Sequence, residues 1–150
     1  MNDKISSNDL IEVSDQLCLD THPRVSVLMI TYNHAPYLAE AIEGVVGQKC
    51  EFPFELIIGE DLSSDATRSI ALEYQKRYPH LIRVIYSSQN VGMNLNSLRI
   101  FQRARGEYIA YCEGDDFWCD SEKLAKQVAL MESDPKMLTQ IGRASCRERV

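Results

Sequence analysis

The chain has 150 residues, 45% of them apolar and 25% charged, and carries a net charge of −6. That length suits one domain with a real core, and the acidic balance argues against nucleic acid or an anionic membrane surface as partner. No apolar run approaches the roughly 20 residues that span a bilayer. Five cysteines with no C-x-x-C pair read as reduced thiols of a cytoplasmic protein rather than a zinc site.

Residues 1–22 carry Asp3, Asp9, Glu12, Asp15 and Asp20 against Lys4 alone, with weak apolar periodicity, and are expected to form a mobile leader, with a short docking helix as the alternative. The β-branched run "VSVLMIT" (25–31) then reads as a strand buried on both faces. Pro36 suits a first helical turn, and Leu38, Ala41, Ile42, Val45 and Val46 follow at helical spacing. "FELIIG" (54–59) is a second strand. Ser64 or Asp65 caps the next helix, which Ile70, Ala71 and Tyr74 line and Pro79 closes. "IRVIYS" (82–87) is a third strand. Leu95, Leu98, Phe101 and Ala104 mark a third helix, ended by Gly106, and "EYIAYC" (107–112) is a fourth strand. Ser121 caps a last helix along Leu124, Val128 and Met131. This alternation predicts an α/β fold, a mostly parallel sheet with helices on both faces and ligands bound at the carboxyl ends of its strands.

The polar clusters fall at those ends. Thr31, Tyr32, Asn33 and His34 follow the first strand, and Glu60 and Asp61 the second. Asn90 follows the third, and Glu113, Asp115 and Asp116 the fourth. Taken singly, most have ordinary readings: Thr-Tyr-Asn as a turn, His34 as a solvated turn residue, Asp65 as a cap. The acidic cluster is harder to explain that way. Glu113 and Asp115 flank a residue without a side chain, and oxygen donors so close suit a hard divalent cation, Mg²⁺ or Mn²⁺. Mg²⁺ characteristically takes one or two carboxylates and completes its shell with water and phosphates, so a diphosphate ligand is its natural partner. Other acidic or phosphate sites fail on pattern. No D-x-D ends the first strand, as haloacid-dehalogenase-type phosphatases require. There is no EF-hand loop, P-loop or G-x-G-x-x-G turn, and no nucleotidyltransferase glycine- and arginine-rich loop.

With those residues in view, the chain resembles the N-terminal, nucleotide-binding half of a family 2 glycosyltransferase with the GT-A fold, Rossmann-like and truncated. The resemblance covers about residues 24–134. It rests on "VSVLMITYNHAPYLAEAIEGVVGQ", "ELIIGEDLSSDAT", "NVG" and "GEYIAYCEGDDFW" in that order. The acidic motif alone is weak; the ordered set is specific. The resemblance implies that Thr31, Tyr32 and Asn33 frame base and ribose, with Asn90 in the N-x-G element. It puts Glu60 on the imide edge of a uracil-type base with Asp61 beside it, and Glu113 on the ribose hydroxyls. Asp115 would hold the metal, aided by Glu113, with Asp116 and Trp118 near the donor sugar. The implied reaction is transfer with inversion from a UDP-type donor to a glycan or lipid-linked acceptor in surface polysaccharide synthesis, with peripheral membrane contact in the full-length protein. The expected catalytic base lies beyond residue 140. Departures are Glu60 and Leu62, where the commonest pattern has Asp and Gly, and Ser97, where it often has Arg.

The expected domain limits are 1–22, 23–140 and 141–150. The last ten residues, "IGRASCRERV", match the translation of a sequencing-library adapter and are expected to be no part of the native enzyme. A non-catalytic nucleotide-binding module is the alternative reading, separated from the enzyme by whether a carboxylate base follows residue 140.

Overall fold

The computed structural model describes residues 9–134. Its elements are β1 (Leu10–Val13), β2 (Val25–Thr31), α1 (Ala35–Val46), β3 (Phe54–Glu60) and α2 (Thr67–Arg77). They continue as β4 (Ile82–Ser87), α3 (Met93–Phe101), β5 (Tyr108–Tyr111) and α4 (Lys123–Ser133). One five-stranded sheet runs in the order β1-β4-β3-β2-β5. β2, β3, β4 and β5 are parallel, and β1 is antiparallel to β4.

The central strands are apolar on both sides because both faces are covered. On one face Val27, Met29, Leu56, Ile58 and Val84 meet Leu38 and Ile42 of α1, Ala71 of α2 and Leu124 and Val128 of α4. On the other, Leu28, Ile57 and Ile85 meet only Ile100 of α3 among fully buried side chains.

Two expectations are revised. Residues 1–22 do not all form a mobile leader. Leu10–Val13 add an edge strand to β4, and Arg83 donates to Glu12 at 2.8 Å. Leu19 is buried as well. Residues 1–8 lie outside the described residues, as does the adapter-like stretch 141–150. A four-residue edge strand carries too little alternation to stand out from a polar segment. The second revision concerns α3. Leu95, Leu98 and Phe101, which mark the helix, are its exposed residues, whereas Asn96, Arg99 and Ile100 turn to the sheet. Gly59 makes this possible, since a Cβ there would lie 2.8 Å from both Asn96 Oδ1 and Ile100 Cγ2.

The opposite end of the sheet is closed by a buried ionic network. Glu55, 1% exposed, accepts from Ser26 Oγ, Arg83 Nη1, Arg105 N and Arg105 Nε. Arg83 also reaches the Arg103 carbonyl, so β1, β3, β4 and the α3–β5 connection share one cluster. The expectation of five reduced thiols also fails. Cys18, Cys50 and Cys112 are free, whereas Cys119 is disulfide-bonded.

Candidate functional site

The parallel strands deliver their following loops to one edge, and hydrogen bonds lock those loops together. Asn33, in the left-handed region at φ 53°, donates its N–H to Ser63 Oγ. Its side-chain oxygen accepts from Ser64 N and Oγ. His34 N donates to Thr67 Oγ1, and Ala35 N to Asp65 Oδ2. Asp65 also accepts from Thr67 N at the start of α2, so it serves the helix as a cap would, although Ala66 holds the cap position. Burial pushes the Asp65 carboxyl up, but the bonds from Thr67 and Ala35 together hold it below its ordinary range.

The next loop is tied in the same way. Asp61, 3% exposed, accepts from Val91 N and Gly92 N at 2.8 Å each, while its backbone carbonyl accepts from Asn90 Nδ2 at 2.7 Å. Between these loops lies a cavity of about 410 Å³. Thr31, Tyr32, Asp61, Asn90 and Glu113, all singled out in the sequence, line it. So do Ile30, His34, Gly92, Met93 and Asn96.

Not every expected residue faces it. Glu60 is fully buried and turned away, its two oxygens accepting from Ser63 N and from Arg68 Nε. Arg68 in turn lies 4.5 Å over the Tyr86 ring and donates to the Ser87 carbonyl. Glu60 therefore shapes the loop rather than lining the cavity. Asn33 is likewise spent on Ser64. Trp118 is 4% exposed and belongs to the main core, with Lys123 Nζ 4.6 Å over its ring. Its backbone lies against Gly44 of α1, where a Cβ would come within 2.9 Å. Asp116 is half-buried and closes the acidic turn, its N–H donating to the Glu113 carbonyl.

The acidic turn itself sits on the end of β2. Gly114 N donates to the Ile30 carbonyl, and a Cβ at Gly114 would stand 2.6 Å from Thr31 Oγ1 and 2.9 Å from His34 Nδ1. Only glycine lets the backbone approach so closely. Thr31 Oγ1 and His34 Nδ1 are buried with no hydrogen-bond partner among the described residues. Asp115 Oδ2 lies 4.0 Å from His34 Nε2. Directly before the turn, burial first and then the charges of Asp116, Glu113 and Asp115 push the Cys112 thiol up to about 12, against a lesser pull from Lys123. A thiol raised in this way is a poor nucleophile. Among the described residues no three His, Cys, Asp or Glu side chains gather closely enough to hold a metal by protein atoms alone.

A mostly parallel sheet whose strand ends carry these interlocked loops has the GT-A architecture. The mannosyltransferase PcManGT from Pyrobaculum calidifontis, described in complex with GDP-Man and Mn²⁺, matches with a TM-score of 0.68 at 24% identity, over 77% of this chain and 34% of that one. TarS residues 1–349 from S. aureus, in complex with UDP-GlcNAc, match with a TM-score of 0.64 at 26% identity, over 73% of this chain and 31% of that one. The model for "Glycosyl transferase family 2" matches residues 26–149, and the chain belongs to that family. The match runs on through the adapter-like stretch. Among curated relatives, the uncharacterized protein Rv1520 of Mycobacterium tuberculosis is 46% identical over 112 residues, 75% of this chain and 32% of its own length. Two Bacillus subtilis proteins are named as glycosyltransferases. TuaG, named for teichuronic acid biosynthesis, is 35% identical over 73% of this chain and 42% of its own length. EpsE is 36% identical over 76% and 40%. The chain thus spans 32% to 42% of these relatives' lengths. No described helix is long and apolar enough to cross a membrane.

The residues that sequence reasoning missed are instructive. His34 is a pocket residue beneath the acidic turn, not a solvated one, and Asn96 and Met93 come from α3. Asn96 had a signal: a polar residue at a position that breaks the apolar spacing, matched by a glycine in a strand.

Proposed function

We propose that this chain is the donor-binding part of an inverting glycosyltransferase, taking a uridine diphosphate sugar together with Mg²⁺ or Mn²⁺. The observation that carries the proposal is the cavity at the strand ends, lined by Asp61 and Asn90 and by Glu113, the first carboxylate of the acidic turn. Tyr32, 48% exposed, offers a ring face to a base. We assign the imide contact to Asp61 rather than Glu60, because Asp61 lines the cavity. Each of its oxygens accepts one backbone N–H and has room for another donor. Glu113, exposed at the rim, faces the ribose and first phosphate.

The acidic turn fits a hard divalent ion. Two carboxylates flank a residue with no side chain, and the turn lies against two buried polar atoms, Thr31 Oγ1 and His34 Nδ1, that have no hydrogen-bond partner among the described residues. With no three-residue cage among the described residues, an ion held here by Asp115 and Glu113 completes its shell with phosphates and water. Bound there, the cation would offset the negative charge that develops on the leaving diphosphate. The protein's own part is to hold the nucleotide, orient the diphosphate over the turn and keep the donor fixed for an acceptor hydroxyl.

TarS, whose structures include UDP and UDP-GlcNAc complexes, supports a uridine nucleotide. TuaG supports a glycan or lipid-linked acceptor in surface polysaccharide synthesis. A cytoplasmic location with peripheral membrane contact belongs to the same proposal, as does the assignment of the general base to sequence after residue 140. The 150-residue chain is then expected to bind a donor without transferring its sugar. Calorimetric titration with UDP, GDP and ADP in Mn²⁺ tests the base assignment. UDP should bind at least tenfold more tightly than the purine nucleotides, and equal affinities would refute it.

A further inference from the structure

We infer that His34 is a positioning residue for the cation site: its imidazole is the floor on which the acidic turn rests and sets the direction of the Asp115 carboxylate. The inference rests on the reading of Asp115 as a metal ligand and goes beyond it in naming what holds that ligand.

Four observations converge on the ring. His34 occupies the position before α1, yet its side chain makes no capping hydrogen bond. Its backbone does the local work instead: the N–H donates to Thr67 Oγ1, and the carbonyl accepts from Tyr37 and Leu38. The imidazole is therefore not required by the helix. It lines the cavity with Nδ1 buried, and a Cβ added at Gly114 would lie 2.9 Å from that atom. The opposite nitrogen, Nε2, stands 4.0 Å from Asp115 Oδ2. One rigid ring thus fills the space beneath the turn's glycine with one edge and faces its carboxylate with the other. Groups of this kind orient a ligand for a metal and are as sensitive to change as the ligands themselves, with losses of about 10- to 100-fold in affinity when removed.

A space-filling role and a positioning role separate on chemistry. Phenylalanine keeps a flat ring against Gly114 but presents no nitrogen to Asp115, whereas glutamine keeps a polar group of similar reach. The test is Mn²⁺ binding to the 150-residue chain with UDP present, read by the loss of free-ion signal in electron paramagnetic resonance. Thermal melting runs in parallel. His34→Phe should weaken Mn²⁺ about tenfold while melting near the parent temperature, and His34→Gln should restore most of the loss. Asp115→Asn serves as the reference for a lost ligand. His34→Phe binding Mn²⁺ as the parent does, with Asp115→Asn impaired, would overturn the role of His34 alone. Equal Mn²⁺ binding by the parent and Asp115→Asn would overturn the metal reading and this inference with it. A His34→Gln variant as weak as His34→Phe would also contradict positioning through a polar contact.

Discussion

Leu62 shows how a single backbone conformation bears on the site. It follows Asp61 and sits at φ 58°, in the left-handed region that favours glycine. An L-residue with a Cβ pays about 1–2 kcal/mol there. Its neighbours impose the conformation: Asp61 is pinned by Val91 and Gly92, and Ser63 by Glu60 and Asn33. Leu62 is 38% exposed, so little burial offsets the strain. Leu62→Gly should therefore be between neutral and about 1 kcal/mol more stable, since glycine's greater freedom when unfolded returns part of the gain. Leu62→Val, branched at Cβ, should be destabilised. Urea midpoints decide it, and a clear loss of stability in Leu62→Gly would mean that the leucine side chain contributes packing that outweighs its backbone strain.

At the scale of elements, the ionic network at the far end of the sheet sets the acid response. Burial alone would raise the Glu55 carboxyl, but bonds from Arg105, Ser26 and Arg83 together hold it below its ordinary range. Glu12 behaves alike: burial raises it, but Arg83, Ser14 and Arg103 together hold it below its ordinary range. Carboxylates depressed in the folded state contribute stability that is fully present above their unfolded pKa. That contribution is lost as pH falls through the folded values. Stability should therefore hold from pH 7 to about 5 and decline below 4.5. Glu55→Gln should lose about 3 kcal/mol at pH 7, because it removes the carboxylate paired with Arg105 and one of the two paired with Arg83. It should also show a shallower decline into acid. An unchanged acid limb in Glu55→Gln would remove Glu55 as its source.

The same scale shows what was legible in the sequence. The four parallel strands and four helices follow from long apolar runs broken by turn residues, and Thr31, Tyr32, Asp61, Asn90 and Glu113, read at the strand ends, line one cavity. β1 was not legible, because its pairing with β4 depends on an edge distant in sequence. The inward face of α3 was misleading for a physical reason: Asn96 and Arg99 are buried through bonds to the Gly59 carbonyl and Ser87 Oγ, not through apolarity. Glu60 and Trp118 lie beside the site in sequence yet turn into loop and core, since neighbours along a chain need not face the same cavity.

For the whole molecule, the two faces of the sheet are covered unequally. Among the described residues three helices cover one face and α3 alone the other, and α3 leaves Leu95, Leu98 and Phe101 42% to 49% exposed. At the sheet edge, β5 pairs only with β2 among the described residues, and Tyr111 is 55% exposed. Exposed apolar side chains together with a strand edge unpaired among the described residues favour self-association. The 150-residue chain should therefore elute in size-exclusion chromatography at an apparent mass that grows with concentration. A Leu98→Lys/Phe101→Lys variant should shift it toward monomer with little effect on melting. A parent chain that stays monomeric at high concentration would contradict this.

All of these features bear on one claim, that the strand-end cavity and the acidic turn form a single site for a nucleoside diphosphate and a divalent cation. The direct measurement is calorimetric titration of UDP into the chain in Mn²⁺ and again in EDTA, with Asp115→Asn alongside. The expected result is binding at least tenfold weaker in EDTA, and a comparable loss in Asp115→Asn even with Mn²⁺ present. Equal affinity for UDP with and without the ion, matched by Asp115→Asn, would contradict the claim.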